Sequence, residues 1–182
     1  MVATKKKRLT NAEKRVAIAK DVLENLDRLK VRQGNYICGT LLEEVDPKDN
    51  AQEKVKAIQA YCTVCALGAC LLSHIRLWDR VMMGEIAGTY PTLYLNVQYA
   101  GTTAPLKRYF TQRQLNLIES AFEMRPMNKE HAASDEEIAQ AKFFGLGYIN
   151  SQNRLKAIME NIIENEGTFK PCHMLGKLLG KL

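Results

Sequence analysis

The sequence has 182 residues, of which 46% are hydrophobic and 25% are charged, so it is long and apolar enough to bury a core and is not a wholly disordered chain. Its longest apolar run, Val64 to Leu72, is far shorter than the roughly 20 residues that a membrane-spanning helix requires. The formal net charge of +6 favours an anionic partner over a cationic one, and we expect no membrane partner.

The excess positive charge lies at the two ends of the chain. The first eight residues carry four basic side chains and no acid, and the residues after 169 carry three basic side chains and no acid. The middle of the chain is nearly neutral by formal count. We therefore predict a flexible basic arm over residues 1–9, a single helical domain over 10–170, and a short basic amphipathic tail over 171–182.

The cysteine count and the start of the chain indicate the compartment. Five cysteines, an odd number, in a chain that can bury a core point to reduced thiols and not to a disulfide framework. The opening residues MVATKKKRLT lead into a polar helix signal, whereas a secretory signal leads into an apolar stretch. We expect a cytoplasmic protein, which would be the host-cell cytoplasm if a phage encodes the chain.

The first half of the chain predicts three helices and one short strand. Thr10 followed by Glu13 forms a capping box, and a broad apolar stripe follows it, so we predict a helix over 11–30. Residues 35–40 could form a short strand. We predict one helix over 51–61 and a largely buried helix over 64–80, with Thr63 as its candidate cap.

The second half predicts one strand and three further helices. Residues 93–99 alternate between apolar and polar side chains and could pair with 35–40 in a ribbon, although a long irregular loop is the alternative. Two capping boxes, Thr111 with Gln114 and Ser134 with Glu137, together with a cap at Ser151 and glycine terminators, predict helices over 112–124, 134–144 and 151–166, with a linker at 126–134. The fold class we predict is mainly α, a single compact helical domain of about five to seven helices with a small two-stranded β ribbon.

One segment has the residue types of a zinc site. Cys62, Cys65, Cys70 and His74 supply four ligands that zinc accepts. On one continuous helix, however, Cys62 and Cys65 would share a face that is turned away from Cys70 and His74. The interpretation we favour is that the thiols are small apolar side chains in a tightly packed helix. A zinc ion, or redox or nucleophilic chemistry, is the alternative, and otherwise we expect no cofactor.

The motifs of common enzyme classes do not occur. The sequence has no phosphate loop, no dinucleotide-binding glycine motif, no zinc-protease motif and no nucleophile elbow. Gly145 and Gly147 follow a predicted helix, so they are better explained as helix terminators. The sequence leans towards a protein that is not an enzyme.

Two basic segments are candidates for binding an anion. The first is the arm, and the second is the run from Leu106 to Arg113, where basic residues lie next to aromatic ones and could contact phosphates and stack bases. The alternative is that the aromatics are core residues and the cations are ordinary surface charge. The candidate anion-binding residues are Lys5, Lys6, Lys7, Arg8, Lys107, Arg108 and Arg113.

The cysteine segment also carries a resemblance. From Cys62 through Cys65-Ala66-Leu67-Gly68-Ala69 the chain resembles small proteins of bacteria, phages and plasmids that carry a C-x-[VA]-C-A-[LI]-G-[AS] stretch after a polar helix. The likeness continues at 114–122, 154–163 and 167–171. It implies an origin on a mobile element or its host, and it supplies no mechanism. An inhibitor of host defence would fit that origin.

Three functions follow from these observations. The first is a non-enzymatic binding protein, expected to be a homo-oligomer, that engages an anionic partner such as nucleic acid, a nucleotide signal or an acidic protein surface. The second is a zinc-binding module or metal-dependent enzyme built on the cysteine segment. The third is a structural or regulatory protein that contacts another protein through the apolar side of its tail, which comprises Leu175, Leu178, Leu179 and Leu182.

Overall fold

The fold was obtained as a computed structural model, which describes residues 8–41, 51–78, 93–97, 99–124 and 132–171. The described residues form seven α-helices and a small sheet, so the predicted mainly helical class is confirmed. No helix in these ranges is both long enough and apolar enough to cross a membrane. The helices are α1 (Asn11–Glu24), α2 (Ala51–Tyr61), α3 (Ala66–Trp78), α4 (Tyr99–Leu106), α5 (Gln112–Glu123), α6 (Asp135–Leu146) and α7 (Ser151–Glu164).

Within the described residues, four short strands form one sheet in the order β1-β3-β2-β4. They are β1 (Lys30–Val31), β2 (Ile37–Leu41), β3 (Cys62–Val64) and β4 (Leu93–Val97). β2 pairs antiparallel with both β3 and β4, and β1 pairs parallel with β3. The predicted pairing of 35–40 with the strand near 93 is confirmed, but the sheet has two more strands than the predicted ribbon.

Two predicted helix boundaries were wrong because each conceals a strand. The helix α4 was not predicted, and Gly145, which was predicted to end a helix, lies inside α6. The first helix ends at Glu24, where the Asn25 side-chain amide donates to the Asp21 carbonyl, and a 3-10 turn then leads into β1. The helix predicted from Val64 begins instead at Ala66, because residues 62–64 pair with both β1 and β2. Thr63 is therefore a strand residue whose hydroxyl donates to the Cys38 carbonyl at 3.1 Å.

Helix α3 is the centre of the core, because every residue from Ala66 to Ile75 is buried. It packs against α1, α2, α4 and α5. At Gly68 the β2 side of the sheet comes so close that a Cβ atom there would overlap the Tyr36 carbonyl oxygen. The small residues after Cys65 thus let a neighbouring backbone approach, as the sequence predicted.

The helix caps agree with the sequence in two cases and differ in two. The capping boxes of Thr10 with Glu13 and of Ser134 with Glu137 are both formed. Thr111 caps α5, but its predicted partner Gln114 turns away and bonds the backbone of Phe169. The cap of α7 is Asn150, one residue before the predicted Ser151.

Arg15 fixes α1 against the turn that follows α4. Its Nη1 donates to the Tyr109 carbonyl at 2.6 Å, and its Nε donates to the Gly167 carbonyl at 2.5 Å. Burial lowers the pKa of this guanidinium, which nevertheless stays charged at neutral pH. Hydrogen bonds from the Arg15 side chain therefore join α1 to the segments around Tyr109 and Gly167.

Candidate functional site: a basic and aromatic groove

The cysteine segment is divided between a strand and a helix. Cys62 lies on β3, Cys65 connects β3 to α3, and Cys70 and His74 lie one turn apart on α3. All four side chains are buried, with at most 2% of their surface exposed. Cys62 and Cys65 therefore both precede the helix, and the four residues do not lie on one continuous helix.

The environment of these thiols favours their neutral form. Burial raises the pKa of Cys62 to about 11, with Cys38 adding to the shift and Lys30 opposing it. Burial raises the pKa of Cys70 to about 12 and also raises that of Cys65. A thiol must lose its proton to act as a nucleophile or a zinc ligand. Within the described ranges, no three potential ligands lie close enough together to hold a metal ion, so zinc binding stays a prediction.

The predicted anion-binding residues fall in different places. Arg8 and Arg108 line the same surface groove, and Lys107 is exposed beside Arg108. Arg113 instead makes a two-point ion pair with the Glu137 carboxylate. Lys5, Lys6 and Lys7 lie outside the described residues. Two of the seven candidates thus come together, although their positions in the chain differ by one hundred.

The groove has a volume of about 420 Å³ and is assembled from three distant segments. These are the residues entering α1, the end of α3, and the turn after α4. We call it the basic groove, and the described residues that line it are Arg8, Leu9, Asn11, Lys14, Trp78, Arg108 and Tyr109. Three of these residues are cationic, two are large aromatics, and none of them is acidic.

The aromatic wall of the groove is built from three rings that contact one another. The Trp78 ring lies 5.2 Å from the Tyr109 ring and 5.6 Å from the His74 ring, and the rings of His74 and Tyr109 are 5.5 Å apart. His74 and Tyr109 are buried, whereas Trp78 is partly exposed. We call these three residues the aromatic cluster. It holds the indole against buried neighbours while part of the indole surface faces the groove.

The electrostatics of the groove are dominated by its cationic side chains. Lys14 Nζ lies 5.0 Å from the centre of the Tyr109 ring, within the range of a cation–π contact. The N-terminus of α1 is also nearby, but the Glu13 carboxylate already accepts from the Thr10 backbone N–H at 2.7 Å. That acid offsets the positive end of the helix dipole. The attraction for an anion therefore comes mainly from Arg8, Lys14 and Arg108.

Sequence reasoning missed two important residues of the groove. Lys14 stood among the charges on the polar side of α1, and Trp78 stood inside a helix predicted to be largely buried. A weak signal for Trp78 was present, since it is the one tryptophan of the chain and lies near the end of that helix. No spacing in the sequence relates either residue to Arg108.

The chain matches no protein-family model, and neither the curated proteins nor the solved structures gave a significant match.

Proposed function

We propose that the protein is a non-enzymatic binding protein that holds an anionic, phosphate-bearing partner in the basic groove. The observation that carries this proposal is the convergence of Arg8, Lys14 and Arg108 on one concave surface whose described lining contains no acid. Cations placed around a cleft raise the local concentration of anions and provide charge-assisted hydrogen bonds. Arginine is especially suited to this role because its planar guanidinium can contact two phosphate oxygens at once.

The basic arm would add to this positive field at low salt, because Lys5, Lys6 and Lys7 directly precede Arg8 in the chain.

The size of the groove fits a small ligand or one unit of a polymer. Ligand pockets commonly enclose about 300–1,000 Å³, and this groove encloses about 420 Å³. An acidic protein surface would present separate carboxylates on a broad face and would gain little from an aromatic wall. A phosphate-bearing partner uses both the cations and the rings.

A neighbouring pair of cations provides the test. Arg108 lines the groove, and Lys107 is exposed next to it without lining it. Binding of a fluorescein-labelled oligodeoxythymidylate of about twelve nucleotides would be followed by anisotropy at low salt. We expect Arg108→Ala to weaken binding roughly tenfold and Lys107→Ala to weaken it about twofold. Equal effects of the two substitutions, or no binding by the unmodified protein, would contradict the proposal.

A second candidate function is self-association through an apolar patch. Phe143 and Leu146, one turn apart on α6, are 57% and 67% exposed, and Ile149 in the following turn is fully exposed. Clustered apolar side chains of this size are typical of protein interfaces. Light scattering of the Leu146→Glu variant tests it, since a dimer of this chain should dissociate. The tail predicted to mediate contacts lies outside the described residues.

A further inference from the structure

We propose that the groove recognises a nucleotide unit, with an unpaired base stacked on Trp78 and its phosphate held by Arg8, Lys14 and Arg108. This inference rests on the proposed function and specifies the chemistry of the partner. Its basis is the presence of a supported, partly exposed indole in the same groove as three cations. An anion site for phosphate alone needs no aromatic wall.

The aromatic cluster holds Trp78 in position to stack with a ligand. Trp78 is in ring contact with His74 and Tyr109, at 5.6 Å and 5.2 Å. Both supporting rings are almost fully buried, with 1% and 7% of their surface exposed. A side chain that is already ordered loses little conformational freedom when a ligand packs on it. The indole is therefore prepared to receive a flat ring before the ligand arrives.

The turn that carries Tyr109 is also fixed to the helix that carries Lys14. The neighbouring Arg15 donates to the Tyr109 carbonyl at 2.6 Å, and its guanidinium lies 6.0 Å from the centre of the Phe110 ring. The positions of Lys14 and Tyr109 are thus fixed relative to each other. This favours a ligand whose charged group and ring also lie at a fixed separation, as the phosphate and base do in a nucleotide.

A base that stacks on Trp78 must be unpaired. In a duplex each base face is covered by its neighbours, so a protein ring cannot stack on it without unpairing the helix. Single strands and free nucleotides present their base faces, and aromatic platforms beside basic surfaces bind them with little dependence on sequence. The shared chemistry is a phosphate with an unstacked base. Its source is either a free nucleotide or a single-stranded nucleic acid.

The chain carries its own reporter for this interaction, because Trp78 is its one tryptophan. Intrinsic fluorescence of the full chain therefore reports on the groove without labelling. We would titrate the protein with oligodeoxythymidylate of about twelve nucleotides, with an abasic deoxyribose-phosphate strand of the same length, and with thymidine monophosphate. We expect the base-containing strand to quench Trp78 emission and the abasic strand to bind more weakly, with little quenching.

Variants separate stacking from charge, with binding read by anisotropy of labelled strands and folding checked by circular dichroism. We expect Trp78→Leu to weaken binding of oligodeoxythymidylate by roughly tenfold or more, since loss of one stacked base commonly costs that much. The same variant should leave affinity for the abasic strand within about twofold, and Trp78→Phe should keep most of the affinity for the base-containing strand. Arg108→Ala should weaken both strands alike.

The outcomes distinguish the inference from the function on which it rests. If Arg108→Ala weakens both strands but Trp78→Leu weakens neither, phosphate binding stands and base stacking is wrong. If Arg108→Ala has no effect on either strand, both proposals fail. Quenching by the monophosphate at concentrations similar to those of the strand identifies a free nucleotide as the source, whereas quenching by the strand alone identifies single-stranded nucleic acid.

Discussion

Replacing Arg8, Lys14 and Arg108 together with glutamine removes the three described cations of the basic groove and leaves long polar side chains in their place. Each cation that neutralises a phosphate of a single strand contributes about −0.7 to the slope of log K against log salt. Three lost contacts should therefore make the slope less negative by about 2. Across a change from 50 to 200 mM salt, this corresponds to a roughly twentyfold smaller loss of affinity than in the unmodified protein.

The assay is a series of anisotropy titrations with labelled oligodeoxythymidylate at increasing salt. A matched triple variant, Lys20→Gln with Lys56→Gln and Lys156→Gln, removes the same formal charge from exposed positions that do not line the groove. It should change the slope by less than about 0.5, because these cations do not contact the bound strand. An equal change of slope in the two triple variants would show that binding reflects diffuse surface charge, and the reasoning would be refuted.

Three further predictions concern the scaffold. Buried Arg154 donates to the carbonyls of Phe122, Gly145 and Tyr148, each at 3.0 Å. Arg154→Met should therefore lower the free energy of unfolding by about 3–5 kcal/mol and Tm by roughly 10 °C. In the same melting experiment, Lys156→Met at an exposed position should cost under about 0.5 kcal/mol. Gly68→Ala should lower the urea midpoint by an amount equivalent to at least about 2 kcal/mol, because the new Cβ would overlap the Tyr36 carbonyl oxygen. A midpoint close to that of Gly147→Ala would contradict this explanation. The free energy of unfolding should fall as pH rises from 9 towards 11, because unfolding returns buried thiols such as Cys62 to their ordinary pKa of 9.0 and lets them ionise. Urea unfolding of a Cys70→Ala variant should show a shallower fall with pH, because one such thiol is removed. An unchanged pH dependence in this variant would contradict the prediction.

Local signals predicted most of the helices because their ends are set by neighbouring residues. The capping boxes at Thr10 and Ser134 use side chains three residues apart, so the sequence alone indicates where these helices begin. β3 could not be predicted in the same way. Its three residues are extended because they pair with β1 and β2, and partners that lie more than twenty residues away leave no local mark on Cys62 or Val64.

The groove was only partly predictable for a related reason. The basic run near Arg108 and the arm ending at Arg8 were visible as charge, and the structure brings those two residues together. Arg113 looked equivalent to them, but Glu137 on the next helix pairs with it. The contact of Trp78 with His74 follows from their four-residue spacing on one helix, but its contact with Tyr109 joins distant segments and leaves no spacing in the sequence.

Photochemical cross-linking tests the central claim most directly. An oligodeoxynucleotide of about twelve residues carrying 5-iodouracil would be irradiated with the full chain, and the attachment site would be mapped by mass spectrometry of the digested protein. We predict adducts on Trp78 or Tyr109, and their loss in the Arg8, Lys14 and Arg108 triple variant. Adducts concentrated on residues remote from the groove, such as Phe143, and retained in that variant would contradict the account.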